Sequence, residues 1–208
     1  MISILGKKED LGMQDGTYLV QPMEVLARQK SLANIKSIPI LKLNKNQYPI
    51  FVSGSARSGT TLLHSLIAAN SQIGNCYNET NAFTSNDDPL ICYYYLLYRR
   101  TLLCLQRKKT AIRWVEKTPK HCRHIDKIHK LFKSKVKFVF IIRDGRQVCT
   151  SKHKRFKPTE YTTTPNRWIK ESGYILKALE DYPNDTLLIR YEGLVKNPND
   201  TVDSVFNF

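Results

Sequence analysis

Four short apolar runs mark the chain beyond residue 48: residues 49–52, 112–115, 136–142 and 186–189. The third contains Phe138-Val139-Phe140-Ile141-Ile142 without a polar break. Such a run reads as a strand covered on both faces, as in a parallel sheet. Helical segments fit between the runs. Residues 60–70 carry Leu62, Leu63, Leu66 and Ile67 on one side, and residues 90–105, 123–132, 146–152 and 166–179 are further helices. Pro198 stands where another helix begins, since a first-turn proline forfeits no helical hydrogen bond. Strands alternating with helices predict an α/β fold of the P-loop type, three layers deep, with a central parallel sheet flanked by helices. The chain stops at Phe208 inside this last helix with no closing signal, so the C-terminal part of the domain is expected to be missing.

Before residue 49 the pattern is weaker. Residues 22–35 are a candidate helix with Met23, Val25, Leu26, Leu32 and Ile35 as its apolar members, and residues 42–47 form a polar connector. We read residues 1–48 as an N-terminal extension and residues 49–208 as the domain.

Composition narrows the class. Of 208 residues, 41% are hydrophobic and 25% charged, which fits a globular chain and not a wholly disordered one. The 33 Lys and Arg against 18 Asp and Glu leave a formal charge of +15. That excess attracts polyanions in general, whether nucleic acid, acidic membrane, glycan or nucleotide. Cys76, Cys92, Cys104, Cys122 and Cys149 are widely spaced without a CxxC pair, which argues against a disulfide framework or a zinc ribbon. A reducing compartment, the cytoplasm, is the expectation. Residues 1–12 lack an apolar core of signal-peptide length, and the longest apolar stretch, residues 90–98, is broken by Arg99 and Arg100. The chain is expected to be soluble.

The candidate chemistry begins at Gly54-Ser55-Ala56-Arg57-Ser58-Gly59-Thr60-Thr61, between a predicted strand and a predicted helix. Glycines let a backbone turn tightly against a ligand. The first amides of the following helix have no helical partner, and the helix dipole adds positive potential. An anion binds well there. The spacing is that of a nucleotide-triphosphate loop, yet Thr60 stands where that loop needs a lysine for the β and γ phosphates. A donor with one phosphate joined to a sulfate needs less compensating charge and no magnesium; no metal is expected. Arg57 can supply a cation instead.

Residues 49–62 resemble the 5′-phosphosulfate loop of sulfotransferases that use 3′-phosphoadenosine 5′-phosphosulfate (PAPS). The Arg-Ser-Gly-Thr-Thr core is most similar to the branch holding tyrosylprotein sulfotransferases and bacterial relatives. The resemblance implies that Arg57, Ser58, Gly59, Thr60 and Thr61 hold the 5′-phosphate and sulfate. Arg143 at the end of the third strand, followed eight residues later by Ser151, is similar to the family's 3′-phosphate site. Arg190-Tyr191-Glu192-Gly193-Leu194 resembles its Tyr-Glu-x-Leu segment, with Tyr191 against the adenine. Glu116-Lys117-Thr118-Pro119 resembles the stretch whose lysine, here Lys117, steadies the leaving oxygen. Taken singly, each has an ordinary role: Arg143 pairing with a nearby acid, Ser151 in a helix, Tyr191 half-buried at a strand end, Lys117 solvated.

An acceptor hydroxyl must lose its proton. Small-molecule members of the family use a histidine two residues beyond this lysine, and Pro119 stands there. In the tyrosylprotein and heparan-type branches a glutamate just past the loop helix is the base, and Glu79 falls close to that place. Glu79 is the candidate base, alongside Lys117 and Arg57 as catalytic groups, with Glu116 and His121 in reserve. The cluster of His121, Cys122, His124 and His129 lacks a zinc spacing and sits among lysines and arginines, which reads as a basic helix face.

The implied reaction is sulfuryl transfer from PAPS to a hydroxyl or amine acceptor, an acidic peptide or glycan bound by variable loops at residues 77–105 and 154–165. Two other readings remain. A nucleotide kinase or triphosphatase with a degenerate loop would need magnesium. A nonenzymatic nucleic-acid binder would exploit the charge, though no such motif appears and nucleic acid is not an expected partner.

Overall fold

The computed structural model describes residues 49–76, 79–84, 111, 113–132, 135–151 and 163–208, with the backbone of residues 13–14 and 17–18. The predicted helices at 22–35 and 90–105 lie outside the described residues. The chain divides into two compact units, residues 1–42 and 43–208. In the first, β1 (Met13–Gln14) pairs antiparallel with β2 (Thr17–Tyr18).

The second unit is built on five parallel strands: β3 (Pro49–Ser53), β4 (Ile73–Asn75), β5 (Arg113–Lys117), β6 (Lys137–Ile142) and β7 (Thr186–Arg190). Their order across the sheet is β4-β5-β3-β6-β7, with β3 central. Val52 lies opposite Lys117 on one side and Val139 on the other. The sequence expectation of a central parallel sheet flanked by helices is met.

The unbroken apolar runs have a direct cause. Successive strand residues point to opposite faces, and both faces are covered. Phe51, Trp114, Phe138 and Phe140 point into one core, packed with α2 (Ile125–Phe132) and α4 (Pro165–Asp181). Ile50, Val52, Val115, Val139 and Ile141 point into the other, under α1 (Thr60–Ala69) and α6 (Pro198–Asn207). Phe51, fully buried, meets the rings of Phe83, Trp114, His121, Phe132 and Phe138. Burying each large apolar side chain contributes about 1.5–3 kcal/mol. On α1 the buried residues Thr60, Leu63, His64, Ile67 and Ala68 recur at helical spacing.

Two short helices complete the unit: α3 (Gly145–Thr150) after β6 and α5 (Tyr191–Lys196) after β7. Asp144 caps α3, its carboxylate accepting from the Arg146 amide at 2.8 Å. A 3₁₀ turn, Pro119–Arg123, follows β5. Parallel strands align their carboxyl ends, so the loops after β3, β5, β6 and β7 share one edge of the sheet. Ligands of open α/β sheets bind at that edge.

Candidate functional site

The loop after β3 is shaped by close approaches. A Cβ on Gly54 would lie 2.4 Å from the Ile141 carbonyl oxygen on β6, a backbone atom that cannot yield. Gly59 caps α1 at φ 98°, and a Cβ there would strike the Tyr191 ring at 2.4 Å. Both positions therefore need glycine. Between them Arg57 takes a left-handed φ of 74°, which costs a non-glycine residue about 1–2 kcal/mol. The Ser58 amide donates to the Ser55 carbonyl at 3.1 Å and closes the turn.

Helix α1 then starts with no side-chain cap and no acid in its first turn. Its leading amides stay available to an anion. The Ser58 hydroxyl is fully buried with no hydrogen-bond partner among the described residues. A buried hydroxyl left unpaired is unfavourable, and an anion oxygen over this turn would satisfy it.

Cationic and aromatic groups from β6, α3 and α5 converge on the loop. Arg57 Nε donates to Ser151 Oγ at 3.1 Å, and Arg143 Nη1 points at the Arg57 carbonyl at 3.4 Å. The Arg143 guanidinium lies over the Tyr191 ring at 4.3 Å while Gln147 accepts from its Nε and Nη2. Thus Arg57, Arg143, Ser151 and Tyr191, spread widely through the sequence, form one connected group. Tyr191 is the first residue of α5, past the strand end, and Arg143 occupies one face of its ring. Thr60 is buried beneath the loop and Thr61 is exposed.

On the other side of β3, Lys117 ends β5 with its side chain 11% exposed and donates to Glu79 Oε1 at 2.6 Å. Glu79 is 43% exposed, so it can reach a second molecule. Glu116, one residue before Lys117, points to the opposite face and is sealed. It accepts from the Thr80 amide and hydroxyl, from Thr118 Oγ1 and from His121 Nδ1. Burial pushes its carboxyl up, but His121, Thr118 and Thr80 outweigh that and hold it below the usual carboxylate range. His121 Nε2 in turn accepts from the Phe83 amide. Glu116 and His121, the reserve bases, are consumed by each other and by the fold. Neither is open to an acceptor.

Around His121, Lys120, Arg123 and Lys130 are exposed, as a basic face requires, while His121 and Cys122 turn inward. Both are buried, and burial pushes the Cys122 thiol up to about 12. His129 Nε2 donates to Asp185 Oδ2 at 3.0 Å, and its ring stacks on Tyr182 at 3.9 Å. No group of three metal-ligating side chains occurs among the described residues. Nor is any helix there long and apolar enough to cross a membrane.

Two ionisable groups are buried on helices; His64 is the helix residue facing its neighbours that the sequence suggests, whereas Glu171 escaped the sequence reading. His64 lies on the buried stripe of α1, its imidazole pushed down by burial and by the Lys117 cation. Glu171 lies on the buried stripe of α4 with Ile175 and Ala178. The available signal was the same in both: an ionisable residue at a core-facing helical position.

The sequence model of the sulfotransferase family matches residues 79–208, well over half of the chain. A Caenorhabditis briggsae protein named "Putative protein-tyrosine sulfotransferase" is 25% identical over 187 residues, covering 76% of this chain and 64% of the relative. The chain thus spans a little under two thirds of that relative's length. The sulfotransferase domain from the curacin biosynthetic pathway shares the fold at a TM-score of 0.51, with 20% identity over 77% of this chain and 72% of that one. A Mycobacterium avium sulfotransferase does so at a TM-score of 0.53, with 14% identity over 88% and 67%. The phosphate loop lies ahead of the residues that the family model matches, so loop geometry and family match are separate observations. Together they point one way: the chain belongs to the sulfotransferase family.

Proposed function

We propose that this chain transfers a sulfuryl group from PAPS to the hydroxyl of an acidic peptide acceptor. The observation that carries the reading is the joining of Arg57, Arg143, Ser151 and Tyr191 around an uncapped helix start with a buried, unpaired Ser58 hydroxyl. Two anionic ends need two cationic holds. In this reading the 5′-phosphosulfate lies over the first turn of α1, against Ser58, Gly59, Thr60, Thr61 and Arg57. Arg143 and Ser151 take the 3′-phosphate, and the Tyr191 ring meets the adenine.

The Lys117–Glu79 pair supplies the chemistry. The incoming sulfate draws Lys117 toward itself and frees Glu79. Glu79 takes the acceptor's proton as the acceptor oxygen bonds to sulfur. The bond from sulfur to the 5′-phosphate oxygen breaks, and 3′-phosphoadenosine 5′-phosphate leaves. Negative charge grows on the bridging oxygen, where Lys117 and Arg57 stabilise the transition state more than the ground state. The formal charge of +15 favours an acidic acceptor, and the name of the nematode relative favours a tyrosyl hydroxyl. Five widely spaced cysteines without a CxxC pair fit a reducing, cytoplasmic setting.

Calorimetric titration with 3′-phosphoadenosine 5′-phosphate, adenosine 5′-phosphate and ATP–magnesium tests the donor. Tight binding that requires the 3′-phosphate is expected. A preference for ATP–magnesium would replace this reading with a kinase. Transfer of labelled sulfate to tyrosine-containing acidic peptides, with heparan-type glycans alongside, tests the acceptor.

A further inference from the structure

Glu171 is 1% exposed, and an unpaired carboxylate there would be strongly disfavoured. Its partners come from three places. Oε2 accepts from Ser55 Oγ at 2.6 Å, inside the phosphate loop. Oε1 accepts from Arg123 Nε at 3.0 Å, at the end of the 3₁₀ turn that follows Lys117. Oε1 also accepts from Arg167 Nε at 3.0 Å, one turn back on α4. Burial pushes the carboxyl up, but Ser55, Arg123 and Arg167 together hold it below its ordinary value, so it stays ionised at neutral pH.

These bonds close a ring. Ser53 Oγ, at the end of β3, donates to the Thr118 and Pro119 carbonyls, where the 3₁₀ turn begins. Two residues on, Ser55 reaches Glu171, and Glu171 returns through Arg123 to the far end of that turn. Thr163 Oγ1 adds a bond to the Ala56 carbonyl at 3.1 Å. Ser55 also accepts the Ser58 amide, so fixing Ser55 fixes the turn in which Arg57 is left-handed.

We propose that Glu171 is a positioning residue that locks the phosphate loop to the segment following Lys117, through Ser55 on one side and Arg123 on the other. Donor and leaving-oxygen groups are then in register before the nucleotide arrives, and binding does not have to order the loop. Its consequence for nucleotide affinity rests on the donor reading above. The mechanical link does not.

The test compares the wild type, Ser55→Ala, Glu171→Gln and the double variant. Ser55→Ala leaves both arginines on Glu171 and serves as the variant that stays folded. Hydrogen exchange on the free proteins should show faster exchange, by about tenfold, in peptides covering residues 53–60 for both single variants, and in residues 118–124 for Glu171→Gln. Titration with 3′-phosphoadenosine 5′-phosphate should show about tenfold weaker binding in each single variant, with the double variant no weaker than Glu171→Gln, because Glu171→Gln already disrupts the Ser55 bond that Ser55→Ala removes. Loop exchange unchanged in Ser55→Ala, or additive losses in the double variant, would overturn the proposal. Faster loop exchange in a protein whose wild type ignores the nucleotide would uphold the lock and sink the donor reading.

Discussion

The two flanks of the central strand β3 handle charge in opposite ways. Toward β6 and β7, Arg57 joins Ser151 and Arg143, and Arg143 lies over the Tyr191 ring. Toward β5, each candidate cation or base already has a partner of opposite character: Lys117 with Glu79, Glu116 with His121. In the proposed reading the first flank holds an anion from outside. The second is divided by exposure. Glu79 is 43% exposed and Glu116 is sealed, so one carboxylate can meet an acceptor and the other can only hold the fold. The two glutamates differ because Glu79 sits on a loop beyond β4, beside Lys117, whereas Glu116 points from β5 to the face opposite Lys117 and is packed away.

The sharpest way to break this comparison is at Lys117 and Glu79. Lys117→Ala should lower kcat by about 10²–10³-fold while nucleotide affinity changes little. Glu79→Gln should lower kcat by about 10²-fold or more. Steady-state sulfate transfer measures both. A normal rate in Glu79→Gln would remove it as the base.

On the other flank, Arg143→Ala should weaken 3′-phosphoadenosine 5′-phosphate by about 10–100-fold, as expected for a charged hydrogen-bonded hold. Adenosine 5′-phosphate should bind almost as before. Calorimetry that finds both nucleotides weakened alike would move Arg143 from the 3′-phosphate to a general electrostatic role.

Glu116→Gln should act on stability instead, by about 2–4 kcal/mol in urea unfolding, because it disturbs a buried set of four hydrogen-bond donors. The rate per folded molecule should stay within a few-fold of wild type. A lost rate with unchanged stability would reverse the assignment of the two glutamates.

The smallest effect is the pH dependence of folding. Glu116 and Glu171 are both held below their ordinary value of 4.5 in the folded chain. A depressed carboxyl binds its proton more readily when unfolded, so its stabilisation is complete above 4.5 and fades as pH falls through the folded values. Thermal unfolding should therefore be flat in these groups from pH 7 to 5 and decline below 4.5. Glu116→Gln should shallow that acid decline.

Much of the fold was legible because its signals are local. The run read at residues 136–142 is β6, Lys137–Ile142, and the helix read at 60–70 is α1, Thr60–Ala69. Strand β4, Ile73–Asn75, was not legible. Three residues with a central glycine carry no period, and they are a strand only through pairing with β5. Helix α5 was not legible: the apolar run ends at residue 189, Tyr191-Glu192-Gly193 has weak helical propensity, and the helix buries only Leu194.

The chain's sequence by itself determined the parallel sheet and the glycines of the loop, because these follow from apolar periodicity and from spacing along one strand–loop–helix unit. Only the tertiary structure decided which of Glu79, Glu116 and His121 stays open, and that Glu171 binds Ser55 and Arg123. Those outcomes depend on which side chains are desolvated against each other across long stretches of chain, and desolvation is a property of the packed layers that no local pattern contains.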